Sequence, residues 1–253
     1  SWAAVPKHFP TASHRERTVL QPVGGYAVPA RLNGACMEEN HLMPSRESQN
    51  YWQEGRRNAQ FGAVGNEFNL DGLRQGMAAR QEPASNDVKC MRSQINDMPC
   101  EWVVAPGADP DLRLLYLHGG GYVSGSGAAY LSLAARISTA AQCAVLLPDY
   151  RLAPEHAFPA GLEDCIAAHE WMVVSGPYGP SPATATFIAC DSAGGGLTLA
   201  TLIALRDRRK QLPIGGIPMS AFADLTLSSD SIQSQSENEL LMHSSRRIRG
   251  DPR

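Results

Sequence analysis

The chain has 253 residues, of which 43% are hydrophobic, and this is enough to bury one substantial core. Its 22 Lys and Arg residues nearly balance 25 Asp and Glu residues, and the net charge of -3 gives no electrostatic reason to expect nucleic acid as a partner. No apolar run reaches the roughly 18 residues of a membrane span, and the N-terminus lacks the order of a signal peptide. We therefore expect one domain that acts on a small, neutral molecule.

The six cysteines show neither a paired spacing nor a metal-ligand cluster. Several lie inside apolar runs, where a buried free thiol is the ordinary interpretation. We therefore predict free thiols in the reducing cytoplasm, with no bound metal and no cofactor.

The N-terminal third is predicted to hold little of the core. Residues 1–45 mix Pro and Gly without sustained periodicity, so no fold is assigned to them. Residues 45–55 are rich in helix formers, and a second helix is expected from Asn69, where Leu70, Leu73 and Met77 recur at helical spacing before Pro83. Residues 46–85 are accordingly predicted to form a helical cap segment.

Residues 86–253 alternate strand and helix patterns. Residues 101–105 are predicted to be an antiparallel edge strand, and residues 112–117, almost continuously apolar, an interior strand of a mostly parallel sheet. Further strands are expected at residues 144–147, 184–189 and 214–222, and helices at residues 131–137, 162–172 and 193–210. Repeated units of this kind predict a three-layer α/β sandwich with right-handed crossovers.

A strand-to-helix turn at Ser192 is the strongest chemical signal. Small residues stand two positions before and after the serine, at Cys190 and Gly194, and Asp191 precedes it. Such a turn exposes a serine hydroxyl for attack on a carbonyl and places it at the positive end of a helix. The alternative is a helix cap followed by a flexible glycine run.

A triglycine segment, His118 to Tyr122, directly follows the interior strand. Alone it is a weak signal, but paired with Ser192 it predicts backbone N–H donors from Gly120, Gly121 and Ala193 that converge on one carbonyl oxygen. His118 is interpreted as a residue that stabilises this loop, although a role as base is an alternative.

Two charged segments are interpreted as structural. Residues 148–160 contain two prolines that fix the backbone, and Arg151 is expected to pair with Asp149 or Glu155 in a rigid buttress. His156 in this segment is expected to be structural, and Asp224 is expected to be a satisfied carboxylate near the site.

In order and spacing, residues 118–122, 148–159, 191–195 and 224–226 resemble the motifs of the bacterial hormone-sensitive-lipase-like branch of the α/β-hydrolase fold. The resemblance covers roughly residues 88–253. It implies that Ser192 is the nucleophile, that Gly120, Gly121 and Ala193 form the oxyanion hole, that Tyr122 borders the acyl pocket, and that His118, Asp191 and Gly194 support the site. The implied activity is hydrolysis of carboxylic esters, usually with short acyl chains.

The sequence departs from that family in two respects. Cys190 stands where the family has a glycine, and the acid and histidine of the family lie downstream of the Asp-Leu-Thr segment, beyond two further strands. We therefore expect the sheet to be incomplete at the C-terminus and the catalytic Asp and His to be missing. His243, the last histidine, lies in a polar stretch.

A second class of function stays open. Plant gibberellin receptors resemble the same branch, lack the catalytic histidine and bind a small ligand. The intact Ser192 turn and triglycine loop favour an esterase over such a binding protein.

Overall fold

A mostly parallel sheet of six strands forms the centre of the fold. The computed structural model describes residues 46, 63–64, 67–79, 82–226, 228–230 and 234, which belong to one compact unit, residues 46–253. Residues 1–45, His243 and, apart from Arg46, the helix predicted at residues 45–55 lie outside the described residues.

The strands of the central sheet follow the order β10-β9-β5-β6-β4-β3. Neighbours from β10 to β6 run parallel, whereas β4 is antiparallel to both β6 and β3. Two short antiparallel pairs, β1 with β2 and β7 with β8, lie outside this sheet. The strand bounds are β1 Ala63–Val64, β2 Glu67–Phe68, β3 Lys89–Ile95, β4 Met98–Val104, β5 Asp109–Leu117, β6 Cys143–Pro148, β7 Ser175–Gly176, β8 Gly179–Pro180, β9 Ala185–Asp191 and β10 Gly215–Met219.

Four helices of nine or more residues accompany these strands in the described part of the chain. The three predicted for the core are present, and so is the helix predicted from Asn69, whose side chain accepts a hydrogen bond from the N–H of Gly72 and caps the first turn. The helix bounds are α1 Leu70–Ala78, α2 Leu131–Ala141, α3 Ala160–Val174 and α4 Ser192–Asp207.

The prediction of an edge strand at residues 101–105 is wrong. The strand is antiparallel as expected, but β3 pairs with β4 along its whole length and takes the edge. Most side chains of β3 are exposed or half-buried, and the strand carries Lys89, Arg92 and Gln94. Because its sequence has no clear apolar alternation, the pattern did not indicate a strand there.

Alternation along the interior strands divides the core between the two faces of the sheet. Leu115 and Leu117 of β5 belong to a cluster that includes Met172 of α3 and Leu197 of α4. The intervening side chains, Leu114 and Tyr116, belong to a second cluster with Ala134 and Ala135 of α2. Both faces of β5 are therefore covered by helices, which explains its continuous apolar sequence and confirms the three-layer arrangement.

Two predicted ends are too long. The helix predicted to reach residue 210 ends at Asp207, and Arg208 and Lys210 instead pair with Glu163 and Glu170 of α3. The strand predicted to reach residue 222 ends at Met219, because Ser220 adopts a φ of 47° that an extended strand does not allow. The chain then turns back toward the sheet.

The sheet brings the two predicted catalytic segments to one edge. Leu117, the last residue of β5, stands beside Cys190 of β9 in a parallel register. The loop after β5 and the turn after β9 therefore leave the same end of neighbouring strands, which is where α/β folds place their ligands.

None of the helices formed by the described residues is long and apolar enough to cross a membrane. The five described cysteines are free, and four of them are buried. Burial raises the pKa of the Cys100 and Cys143 thiols to about 11, so these thiols stay protonated.

A buried histidine on α3 makes stability depend on pH. His169 is fully buried, with Nε2 3.2 Å from Thr186 Oγ1, and burial lowers its pKa to about 4. The unfolded chain, with an imidazole pKa of about 6.5, binds more protons between these values, so the free energy of unfolding falls as pH drops through this window. Burial lowers the pKa of the His118 imidazole as well.

The wild type is expected to lose free energy of unfolding between pH 7 and pH 4. We predict that this loss is about 2 to 3 kcal/mol smaller in His169→Gln, as measured by urea unfolding at both pH values. His156→Gln, which alters an exposed imidazole, is the matched control. An equal loss in the wild type and in His169→Gln would contradict the prediction.

Candidate active site

Ser192 occupies a strained turn between β9 and α4. Its φ is 51°, in the left-handed region that non-glycine residues seldom adopt. The residue is half-buried and begins a helix of 16 residues, so its side chain lies at the positive end of the helix dipole. The N–H of Ala193 belongs to the first turn, whose donors have no acceptor within the helix.

Three glycines after Ser192 allow the helix to approach its neighbours closely. A Cβ added at Gly194 would collide with the carbonyl oxygen of Leu117 and would lie 2.9 Å from that of His118. A Cβ at Gly195 would lie 2.6 Å from Ala221 Cα, and Gly196 faces the hydroxyl of Tyr122. The turn therefore packs directly against the end of β5 and against the segment after β10.

The triglycine loop turns sharply after β5. Gly120 and Gly121 have φ values of 129° and 65°, and Tyr122 continues with 66°. The carbonyl of Gly120 accepts hydrogen bonds from the N–H and the hydroxyl of Ser124, at 3.0 and 2.7 Å. By contrast, the N–H groups of Gly120 and Gly121 donate no hydrogen bond within the described part of the chain. Among the described residues, nothing competes with a ligand for these two donors.

Asp191 fastens the two segments together. Its carboxylate accepts hydrogen bonds from the N–H of Gly119 at 3.0 Å and from the hydroxyls of Tyr116 at 3.1 Å and Tyr130 at 3.0 Å. The loop after β5 is thus attached to the residue immediately before Ser192. These contacts support the predicted supporting role of Asp191.

His118 lies beneath the loop. The ring is buried and stacks on Tyr150 with centroids 4.2 Å apart, and Nδ1 is 2.8 Å from the carbonyl oxygen of Gly119. Burial lowers the pKa of the imidazole. A neutral ring packed in this way supports the interpretation of His118 as a loop-stabilising residue.

Tyr122 connects the triglycine loop to the segment after β10. Its hydroxyl donates to the carbonyl oxygen of Phe222 at 2.5 Å, and the two rings lie 6.0 Å apart. The N–H of Phe222 in turn donates to the carbonyl of Ser192 at 2.8 Å. Tyr122 therefore stands beside the serine turn, in a place compatible with its predicted role at the acyl pocket.

The expected pairing of Arg151 with Asp149 or Glu155 is wrong. Arg151 binds both carboxylate oxygens of Asp164 on α3, at 2.9 Å from Nε and 2.7 Å from Nη2. Asp149 instead accepts the N–H of Gly127. Glu155 pairs with Arg74 of α1, 81 residues away, and this partner holds the pKa of Glu155 at about 2. Arg151 and Glu155 therefore pair with residues on α3 and α1 and not with each other.

Asp224 is fully engaged by its own turn. Its oxygens accept hydrogen bonds from the N–H and hydroxyl groups of Thr226 and Ser228, at 2.5 to 3.1 Å. These donors lower the pKa of the carboxyl. The carboxylate is satisfied, as predicted, by hydroxyl and amide groups of its own turn.

The described histidines do not supply Ser192 with a base. His118, His156 and His169 are the histidines of the described ranges, and none forms a hydrogen bond with Ser192. His156 is exposed on the loop before α3. Among the same residues, no group of three or more His, Cys, Asp or Glu side chains could hold a metal ion.

Sequence reasoning missed the tyrosines and the arginine that hold these loops. Tyr116 and Tyr130 reach Asp191 from β5 and from the turn before α2, and Arg74 reaches the loops from α1. Each contact joins residues between 49 and 75 positions apart. No local spacing could have indicated them.

We predict that Gly194→Ala lowers the free energy of unfolding by about 3 kcal/mol, because its methyl group would overlap backbone atoms at the end of β5. Gly215→Ala is the matched control, since its Cβ would make ordinary contacts at 3.5 Å with Phe187. Urea unfolding compares the two. Equal stability of both variants would show that the serine turn does not pack against β5.

A family model described as the alpha/beta hydrolase fold matches residues 114–249. The putative acetyl-hydrolase LipR of Mycobacterium tuberculosis is 37% identical over 161 residues, which are 64% of this chain and 51% of LipR. The chain spans about half the length of the curated relatives it matches.

Solved structures agree with this assignment. The crystal structure of EstE5 soaked with p-nitrophenyl butyrate shares 38% identity and a TM-score of 0.66, covering 79% of this chain and 69% of EstE5. The hormone-sensitive-lipase homologue EstE7, from a metagenome library, shares 30% identity and a TM-score of 0.65, covering 81% and 69%. With the sheet order and the serine turn described above, these matches establish that the chain belongs to the hormone-sensitive-lipase-like esterases of the α/β-hydrolase fold.

Proposed function

We propose that this protein hydrolyses carboxylic esters through an acyl-enzyme formed on Ser192. One observation carries the proposal: the strained serine turn packs against a loop whose two glycine N–H groups have no acceptor among the described residues. A hydroxyl and unused backbone donors at the same end of neighbouring strands are the arrangement that acyl transfer requires.

The proposed reaction has two steps. Ser192 Oγ attacks the ester carbonyl while its proton passes to a general base, and the carbonyl oxygen becomes an oxyanion. Collapse expels the alcohol, which takes the proton, and leaves an acyl group on Ser192. Water then attacks this acyl group in the same way and releases the carboxylic acid.

The oxyanion is proposed to bind the N–H groups of Gly120, Gly121 and Ala193. Two of these donors come from the triglycine loop and one from the first turn of α4, where the helix dipole also favours negative charge. Loss of a single donor of this kind costs about 3 kcal/mol of transition-state stabilisation. This site needs neither a metal nor a cofactor for the proposed chemistry.

The general base is proposed to come from outside the described residues, because the three described histidines do not contact Ser192. Asp191 is already engaged by three donors, and Asp224 by its own turn. Without a base next to the serine, only the oxyanion donors and substrate binding contribute, which amounts to about a few thousandfold over water. We propose that the described residues alone support ester turnover no faster than this, and that faster turnover requires the base.

The proposed substrates are small, neutral esters with short acyl chains. Tyr122 is proposed to border the acyl group, since it stands beside the serine turn and is fixed through Phe222. LipR is named a putative acetyl-hydrolase, and crystals of EstE5 were soaked with p-nitrophenyl butyrate. The free, buried thiols support a location in the reducing cytoplasm.

We predict that p-nitrophenyl acetate slowly acetylates Ser192 and that the adduct accumulates, because hydrolysis of the acyl-enzyme also requires a base. Intact-mass spectrometry and peptide mapping measure the acetyl group on the peptide that contains Ser192. Ser192→Ala is expected to abolish this adduct and to leave nonspecific acetylation of lysines unchanged.

Ser220→Ala provides the matched control, since Ser220 also has a positive φ but lies on an exposed turn after β10. It should not alter acetylation of Ser192. Acetylation of Ser192 no faster than of exposed serines would overturn the proposed nucleophile. Saturable ester binding without acetylation would instead identify a binding protein on a hydrolase scaffold.

A further inference from the structure

Arg74 of α1 reaches across to the loops that surround the serine turn. Its Nε donates to the carbonyl oxygen of Val123 at 2.8 Å, and its Nη2 to that of Ala153 at 3.2 Å. Both terminal nitrogens also bind the carboxylate of Glu155, at 2.8 and 2.7 Å. One guanidinium group therefore holds two loops and a carboxylate at once.

The first of these contacts acts on the triglycine loop itself. The N–H of Val123 donates to the carbonyl of Gly120 at 3.3 Å, so Val123 closes the turn that presents the N–H groups of Gly120 and Gly121. The carbonyl of Val123 accepts the hydrogen bond from Arg74 Nε. Fixing both groups of Val123 restricts the rotation of the peptide units on either side of it.

The second contact supports the same loop indirectly. The N–H of Ala153 donates to the carbonyl of Tyr122 at 3.0 Å, while the carbonyl of Ala153 accepts from Arg74. The loop after β6 therefore links Tyr122 to Arg74 through one residue. Tyr122 and Val123 are in this way both linked to α1.

We propose that Arg74 is a positioning residue, which orders the oxyanion loop from the cap helix α1. The inference rests on the proposed function, because the loop matters only if its N–H groups bind an oxyanion. It assigns to α1 a part in catalysis without any contact between α1 and the reacting atoms.

The ion pair alone does not account for this arrangement. The side chains of Arg74 and Glu155 are 32% and 51% exposed, and exposed ion pairs contribute little to stability. The two carbonyls, by contrast, receive donors at fixed angles from a planar group that lysine cannot reproduce. The role of Arg74 is therefore expected to appear in loop order and acyl transfer more than in global stability.

The test compares Arg74→Gln with Arg136→Gln in the 253-residue chain. Arg136 on α2 is the matched control because its side chain is 74% exposed and its ion pair with Glu82 is long, at 3.8 Å. Hydrogen exchange should become roughly tenfold faster at the amides of residues 119–125 in Arg74→Gln and stay unchanged at residues 112–117 of β5. Arg136→Gln should match the wild type in both segments.

Acetylation of Ser192 by p-nitrophenyl acetate provides the second readout. Arg74→Gln should slow the limiting rate at saturating ester roughly tenfold, while the half-saturating concentration changes less than about twofold. The reason is that misplaced N–H donors stabilise the transition state less but leave ester binding unchanged. Arg74→Lys should recover part of the rate, and Glu155→Gln, which keeps both carbonyl contacts, should lose less than Arg74→Gln.

The outcomes separate this inference from the proposed function. Normal exchange of the loop and a normal acetylation rate in Arg74→Gln would overturn the positioning role, even with Ser192 acetylated. Failure of the wild type to acetylate Ser192 would overturn the proposed function, whatever the exchange shows. A third outcome is a lower melting temperature together with faster exchange throughout the sheet. This outcome would mark Arg74 as merely structural and would also overturn the inference.

Discussion

The close approach of Gly194 to the carbonyl of Leu117 is the constraint on which the rest of the site depends. It brings the first turn of α4 against the end of β5, and it is possible only because the helix has no side chain there. From this contact follow the proximity of Ser192 to the triglycine loop, the reach of the Asp191 carboxylate to the N–H of Gly119, and the meeting of Gly196 with Tyr122. A parallel register between β5 and β9 places the two segments at the same end of the sheet.

Three sets of contacts hold the triglycine loop from different sides. Asp191 holds its beginning, the stacked ring of His118 supports it from the core, and Arg74 holds its end. The loop has backbone angles that cost energy, notably at Tyr122, so it needs such support to keep one conformation. Donors that are fixed in advance do not have to reorganise when charge develops, and this is the main source of their effect on rate.

Short motifs predicted the local turns better than the overall pattern predicted the edges of the sheet. The strand-turn-helix at Ser192, the triglycine loop and the satisfied carboxylate of Asp224 could be predicted because each depends on a few adjacent residues. The edge strand β3 could not, since its polar, mostly exposed sequence carries no alternation. The predicted partners of Arg151 and Glu155 were wrong, and Arg74 was missed. Ion pairs form between residues that are close in the folded structure, and the sequence offers several oppositely charged residues for each. The predicted general base and the roles of the individual site residues stay predictions.

Ser192 Oγ and the N–H groups of Gly120 and Gly121 are proposed to face one carbonyl oxygen. A crystal structure of the chain soaked with phenylboronic acid, whose boron accepts a serine oxygen and becomes a tetrahedral anion, tests this arrangement most directly. We predict a boron bound to Ser192 Oγ, with one boronate oxygen about 2.7 to 3.1 Å from the two glycine nitrogens. A boronate oxygen directed away from both nitrogens, or an adduct at another residue, would contradict the account.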